Sequence, residues 1–205
     1  RMNMMRFTTM KTKLRKYPSI FLILLLAISS CFLTGCVNQH PKDSKKISQG
    51  ESVETMLEIT DPKEKQAVLN AKAKVKALSG NPRIVATSPA VADICDKLDL
   101  DLVGVPKSSV SKIPSRYKKV KKVGLAMSPD MEIVSSLNPD WILAPSSLET
   151  DLKPKFEELK NTEYAFLNLR SVQGMYRSVQ ELGEIFGKQQ EAEKMTKEFT
   201  TFYKS

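Results

Sequence analysis

The chain has 205 residues, with 32 Lys and Arg against 23 Asp and Glu and a formal net charge of +9. Six of the cations and none of the anions lie in residues 1–35, so the 170 residues from 36 onward carry 26 cations against 23 anions, a net +3. That remainder lacks the concentrated basic face that phosphate backbones require, which excludes nucleic acid as a partner.

In chain order, Arg1, Arg6, Lys11, Lys13, Arg15 and Lys16 precede an apolar run from Ile20 to Ala27 that reaches Leu33 after a brief polar break. A cationic head followed by an apolar stretch too short for a comfortable permanent span is the layout of a secretory signal. The stretch ends in Leu33-Thr34-Gly35-Cys36, which resembles a lipobox, where cleavage leaves the Cys36 thiol for lipidation. Ile28-Ser29-Ser30-Cys31 fits the same pattern more loosely, and an uncleaved anchor is the remaining alternative. Each reading places the rest of the chain outside the cytoplasm, on the outer face of the cell membrane and held there by a lipid if Cys36 is the site. With residues 1–35 removed and Cys36 lipidated, Cys95 is the one thiol left, so no intrachain disulfide is expected. Residues 36–60 are polar and aperiodic and read as a tether, with His40 a solvated tether residue rather than a metal ligand.

A helix follows over a linker spanning 61–82. Asp61 caps it, Pro62 takes its first position, Glu64 completes a capping box, and Val68, Ala71, Val75 and Leu78 recur at helical spacing up to Gly80. The narrow apolar stripe leaves open whether this helix packs or stays loose. From Arg83 to Phe186, short apolar runs alternate with amphipathic segments. Strands are predicted at Ile84–Ala86, Leu102–Val105, Trp141–Ala144 and Ala165–Leu167, and helices from Ser88-Pro89, from Ser128-Pro129 and over Leu152–Leu159. That alternation predicts an α/β fold, an open parallel sheet flanked by helices over 83–186. Two longer apolar stripes follow, Val172 to Phe186 and Ala192 to Phe202, the second running to the end of the chain over 187–205.

Open parallel sheets bind ligands beyond the carboxyl ends of their strands. Three features fall there: the Thr87-Ser88-Pro89 turn, the Lys107-Ser108-Ser109 loop, and Met127 with Ser128. Ser88 and Ser128 read equally as plain helix caps. Met127 is either packing beneath a loop or a thioether presented to heme iron, since its place in Gly124-Leu-Ala-Met-Ser-Pro129 is not a helix-face position. Lys118-Lys119 and Lys121-Lys122 are a solvated face or a long-range attractor of an anionic ligand. The chain has no Gly-rich phosphate loop, no CxxC, no Gly-x-Ser-x-Gly elbow and no paired-His motif, so an enzyme is not expected.

The segments Leu98-Asp-Leu-Asp-Leu-Val-Gly104, Ile113-Pro-Ser-Arg-Tyr-Lys118, Val123-Gly-Leu-Ala-Met-Ser-Pro-Asp130 and Leu137-Asn-Pro-Asp-Trp-Ile142 resemble the periplasmic-binding-protein family for siderophores, heme and cobalamin. The resemblance runs from about Arg83 to the C-terminus, and the Gly-x-x-Met-x-Pro element is its most specific part. It implies one lobe of a two-lobed protein whose halves are joined by a single long helix, with residues 187–205 as the start of that helix. It also implies heme b carried as cargo, with Met127 as an axial metal ligand opposite a histidine of the second lobe, and Thr87, Ser88, Pro89, Ser108 and Ser109 near the propionates. Glu132 would dock on an ABC permease, and cell-surface heme donor proteins would supply the cargo. A ferric siderophore or cobalamin, or an interaction lobe that transports nothing, are the alternatives. No second lobe and no opposing histidine follow Ser205 in this sequence, so a fragment or truncated product is expected, with weaker heme binding than a full-length relative.

Overall fold

The computed structural model describes residues 59–204. The signal, Cys31, Cys36, His40 and nearly all of the tether lie outside the described residues.

The chain folds as helix α1 (Pro62–Lys76), strand β1 (Ile84–Ala86), α2 (Pro89–Lys97), β2 (Leu102–Val105), short strands β3 (Lys121–Lys122), β4 (Gly124–Leu125) and β5 (Ser128–Pro129), α3 (Met131–Ser136), β6 (Trp141–Pro145), α4 (Glu149–Glu157), β7 (Glu163–Leu167), α5 (Val172–Phe186) and α6 (Gln189–Lys204). Five strands form one sheet in the order β3-β2-β1-β6-β7, with every pairing parallel. This is the α/β architecture that the alternation of apolar runs predicts. Because side chains alternate across a pleated strand, each strand feeds two cores. Ile84, Ala86, Trp141, Leu143 and Leu167 pack under α1, α2, α5 and α6, whereas Val85, Ile142 and Ala144 pack under α3 and α4 with Val134, Leu152 and Phe156. Cys95 is fully buried in the first of these cores, and burial pushes its thiol up to about 12.

The helix ends follow their local chemistry. Ser88 Oγ accepts from Val91 N–H at 3.2 Å, and Ser171 Oγ accepts from Gly174 N–H at 3.0 Å. Asp99 (φ 52°) and Asn138 (φ 45°) take left-handed backbone just past α2 and α3, and Gly187 (φ 71°) separates α5 from α6. Boundaries shift modestly elsewhere: α4 begins at Glu149 rather than Leu152, and β7 at Glu163 rather than Ala165.

Three expectations are corrected. Ser128-Pro129 does not start a helix: it forms strand β5 of a hairpin with β4, and the helix begins at Met131. Asp130 takes the cap instead, its carboxylate accepting from the N–H groups of Glu132 and Ile133 at 3.1 Å each, while its own N–H donates to Val123 O at 2.7 Å and closes the hairpin. The Glu64 capping box does not form. Asp61 Oδ1 accepts from Lys63 N–H at 2.7 Å, and Glu64 pairs with Arg177 on α5. Lys121-Lys122, outside every predicted strand, supplies the edge strand beside β2, and Lys121 stays exposed on it.

Helix α1 packs rather than staying loose. Val68 is buried, Ala71 and Val75 lie partly buried against the core, and Lys72 pairs with Glu184 of α5.

Candidate functional site

The sheet reverses its winding at its centre. From β1 the chain moves outward to β2 and β3, and from β6 outward the other way to β7. The crossover helix after β1 covers one face and the helix after β6 covers the other. The loops leaving β1 and β6 therefore part to opposite sides, which opens a crevice beyond their carboxyl ends, the place where open α/β sheets hold ligands.

The sequence-predicted residues are unequally placed around that edge. Met127 sits in the turn between β4 and β5 and is 73% exposed, so its thioether points to open space rather than into the lobe. The hairpin is tied to the loop after β2, whose Lys107 N–H donates to Gly124 O at 2.7 Å. Gly124 is needed there: its φ is +96°, and a Cβ would stand 2.9 Å from the Asp130 backbone nitrogen. Ser108 and Ser109 lie on the tied loop, Ser109 exposed and Ser108 half-buried with its Oγ accepting from Ser111 N–H at 3.0 Å.

Thr87 and Ser88 are placed differently. Thr87 is 1% exposed, its N–H donates to Leu143 O at 3.0 Å, and its hydroxyl faces the same oxygen at 3.4 Å. Ser88 is buried with its hydroxyl used as the α2 cap. Both continue the β1–β6 ladder into the helix, and neither side chain opens onto the crevice as folded. Pro89, at the first position of α2, is half-buried. Glu132 is exposed in the first turn of α3, beside Asp130 and away from the crevice centre of β1 and β6.

Sequence reading missed the apolar character of this edge. Besides Met127, the loop after β2 exposes Val110 at 95%, the hairpin exposes Leu125 at 56%, and the first residue of α5 exposes Val172 at 55%. Four large apolar side chains are thus exposed in the loops and element ends that follow the strands. Val110 and Met127 stand outside helical or strand periodicity, whereas Val172 heads the apolar stripe of α5 and gives no sign of being exposed. A hollow of about 490 Å³ runs along α4 from Ser146, at the end of β6, to Glu157, with Thr150, Lys153 and, from the loop after β7, Arg170 among its lining residues. Among the described residues no group of three or more His, Cys, Asp or Glu side chains could hold a metal ion.

Comparison with known proteins bears on what such an edge carries. A family model described as periplasmic binding protein matches residues 84–205. The chain is 36% identical over 117 residues to the high-affinity heme uptake system protein IsdE of Staphylococcus aureus, covering 57% of this chain and 39% of that protein. The crystal structure of S. aureus IsdE complexed with heme superposes at a TM-score of 0.56 with 34% identity, covering 60% of this chain and 46% of that one. An ABC transporter substrate-binding protein from Listeria monocytogenes EGD-e superposes at 0.57 with 44% identity and the same coverage. The siderophore-binding protein BauB, bound to acinetobactin and ferric iron, superposes at 0.51 with 25% identity, covering 59% of this chain and 45% of that one. The chain thus spans less than half the length of each of these relatives.

Proposed function

The chain belongs to the periplasmic binding protein family, and on that premise we propose that it is the heme-binding lobe of a substrate-binding lipoprotein serving an ABC importer. The observation that carries this reading is Met127: a thioether 73% exposed at the tip of a hairpin, on the ligand edge of the sheet, amid other exposed apolar side chains. A buried methionine at that position would be packing. An exposed one costs apolar contact with water and is suited to ligating iron from one side of a flat porphyrin. The apolar rim of Val110, Leu125 and Val172 suits the faces and edges of such a ring. Likeness to IsdE over this stretch supports heme as the cargo, and likeness to BauB supports a ferric siderophore as the alternative.

In this reading Ser108 and Ser109 approach the propionates from the tied loop and Pro89 borders them. Thr87 and Ser88 hold the turn in shape from beneath. Capture and delivery require no covalent step. Cys36 carries the lipid that holds the protein at the outer face of the membrane, surface heme donors load it, and Glu132 meets a cation of the permease.

Heme titration into the full chain and into Met127→Ala, read at the Soret band, tests the central claim. Ligation by sulfur gives the wild type a band position that the variant lacks; identical spectra remove Met127 from the site. A siderophore needs no thioether, so unchanged ferric-siderophore binding in the variant favours that cargo instead. Recovery of the permease with the wild type and with Glu132→Ala tests the docking contact, and equal recovery would count against it.

A further inference from the structure

Four arginines fall among the described residues, and three have their guanidinium groups engaged. Arg83 donates to Leu137 O at 2.7 and 3.1 Å, Arg116 to Asp99 and Asp101 at 2.9 and 2.8 Å, and Arg177 to Glu64. Arg170 has neither an ion pair nor a side-chain hydrogen bond; only its backbone N–H is bound, donating to Asn168 Oδ1 at 3.2 Å. An arginine left unpaired loses nothing in water, so its freedom alone says little. Its position says more.

Arg170 stands in the loop from β7 into α5, at the carboxyl edge of the sheet, and that loop is held firmly. Asn168 N–H donates to Ser178 Oγ at 3.0 Å, and Ser171 Oγ accepts from Gly174 N–H. The Asn168 amide lies so close over α5 that a Cβ on Gly174 would stand 2.6 Å from it. The backbone carrying Arg170 is thus fixed at three points while its guanidinium remains available. Arg170 lines the 490 Å³ hollow, whose upper end is Ser146, the first residue after β6. Lys153 is the second cation there and Thr150 a second hydroxyl. Glu149 and Glu157 also line the hollow, yet neither lies within ion-pair distance of Arg170 or Lys153, and Glu157 accepts from the Tyr164 hydroxyl at 3.1 Å. Two acids against two cations make a poor home for a doubly charged phosphate. A single carboxylate, held by the two-pronged guanidinium and a serine hydroxyl, fits that balance.

We propose that Arg170 is a specificity-determining residue of this protein, which reads a carboxylate of the cargo at the hollow beside Ser146. This rests on the reading of the edge as a ligand site and adds an anionic anchor to it. The carboxylate belongs to a porphyrin side chain or to a citrate-type ferric chelate, and the experiment separates the two.

Metal-free protoporphyrin IX and its dimethyl ester are titrated into the full chain and into Arg170→Ala by porphyrin fluorescence, and ferric citrate is titrated in parallel. Without iron in the porphyrin, Met127 ligation does not enter. A propionate source gives about a tenfold or greater loss of free-acid affinity in Arg170→Ala, with the ester bound equally by both proteins. A chelate source moves the loss to ferric citrate, which retains the role of Arg170 and discards heme as the cargo. Arg170→Lys falls between wild type and Ala, because lysine keeps the charge but not the fork. An unchanged melting temperature in the variants excludes misfolding, since Arg170 is exposed and its side chain touches no partner. Equal binding of every probe by wild type and Arg170→Ala, including no binding by either, overturns the proposal. A Soret band insensitive to Met127→Ala, alongside a retained free-acid preference, would sink the iron ligand and leave Arg170 standing.

Discussion

Tyr117 shows how a single residue fixes the loop that carries the candidate site. Its ring is 2% exposed in the first core, and its hydroxyl donates to Leu100 O at 2.5 Å. Burial holds the phenol well above its usual range, so the proton is always present for that bond. The next residue back, Arg116, reaches Asp99 and Asp101 on the turn between α2 and β2. Together they pin the start of β3, and hence the hairpin of Met127, to the opposite end of the sheet. Tyr117→Phe keeps the ring and orphans a buried carbonyl, so chemical denaturation is expected to show a loss of about 1–2 kcal/mol. The heme titration proposed above should change little, because the ring and the Arg116 ion pairs that hold the loop are retained. The Gly104 position is tighter still: a Cβ there would stand 2.8 Å from Val123 and 2.9 Å from Leu137, both core side chains.

At the level of elements, α1 meets the lobe through ion pairs as well as through apolar burial. Lys72 pairs with Glu184, Glu64 with Arg177, and Lys74 with Glu163 of β7. Glu181 of α5 sits within this cluster. Burial first, and then its hydrogen bond to Glu64 and the charge of that carboxylate, push Glu181 up to about 7 from 4.5, against the pull of Arg177. A carboxyl whose folded pKa is raised contributes stability that is complete below the unfolded value and is lost as pH rises through the folded one. Melting temperature should therefore decline between about pH 5 and pH 8, and Glu181→Gln should flatten that decline and exceed the wild type at the upper end. Identical pH profiles would remove Glu181 as the cause. The same elements show what was legible in the sequence. Strands β1, β2 and β6 announce themselves because they are continuous apolar runs buried on both faces, and Ser88 because Ser-Pro before an apolar stripe has one dominant meaning. Ser128-Pro129 carries the same two letters, yet Asp130 two residues on is the better cap and the Gly124 turn demands a hairpin, a competition that is tertiary in origin. Of the candidate site, the place of Met127 outside any periodic face was legible, but its exposure was not, because packing beneath the loop fitted the same position. The fate of Thr87 was not, because its burial is decided by β6, more than fifty residues away.

For the whole described unit, the two cores share one sheet. Ile142 and Leu143 are consecutive, both fully buried, and belong to opposite cores. Because β6 is paired on both sides, by β1 and β7, neither core can open without disturbing the other. Ile142→Ala and Leu143→Ala should each cost about 2–5 kcal/mol. Each should also shift one common transition, seen alike by circular dichroism and by the fluorescence of Trp141, the sole tryptophan. Two separated transitions would mean that the cores unfold independently. Val110 and Leu125 lie outside both cores, so substitutions there should leave this transition in place.

The sealed sulfur of Cys95 turns the folded protein into its own stopwatch. A thiol held protonated and out of reach ignores alkylating reagents for as long as the lobe stays closed. Each covalent tag located on Cys95 by peptide mapping therefore records one opening event, and slower tagging there when heme is added would time how firmly a bound ligand keeps the door shut.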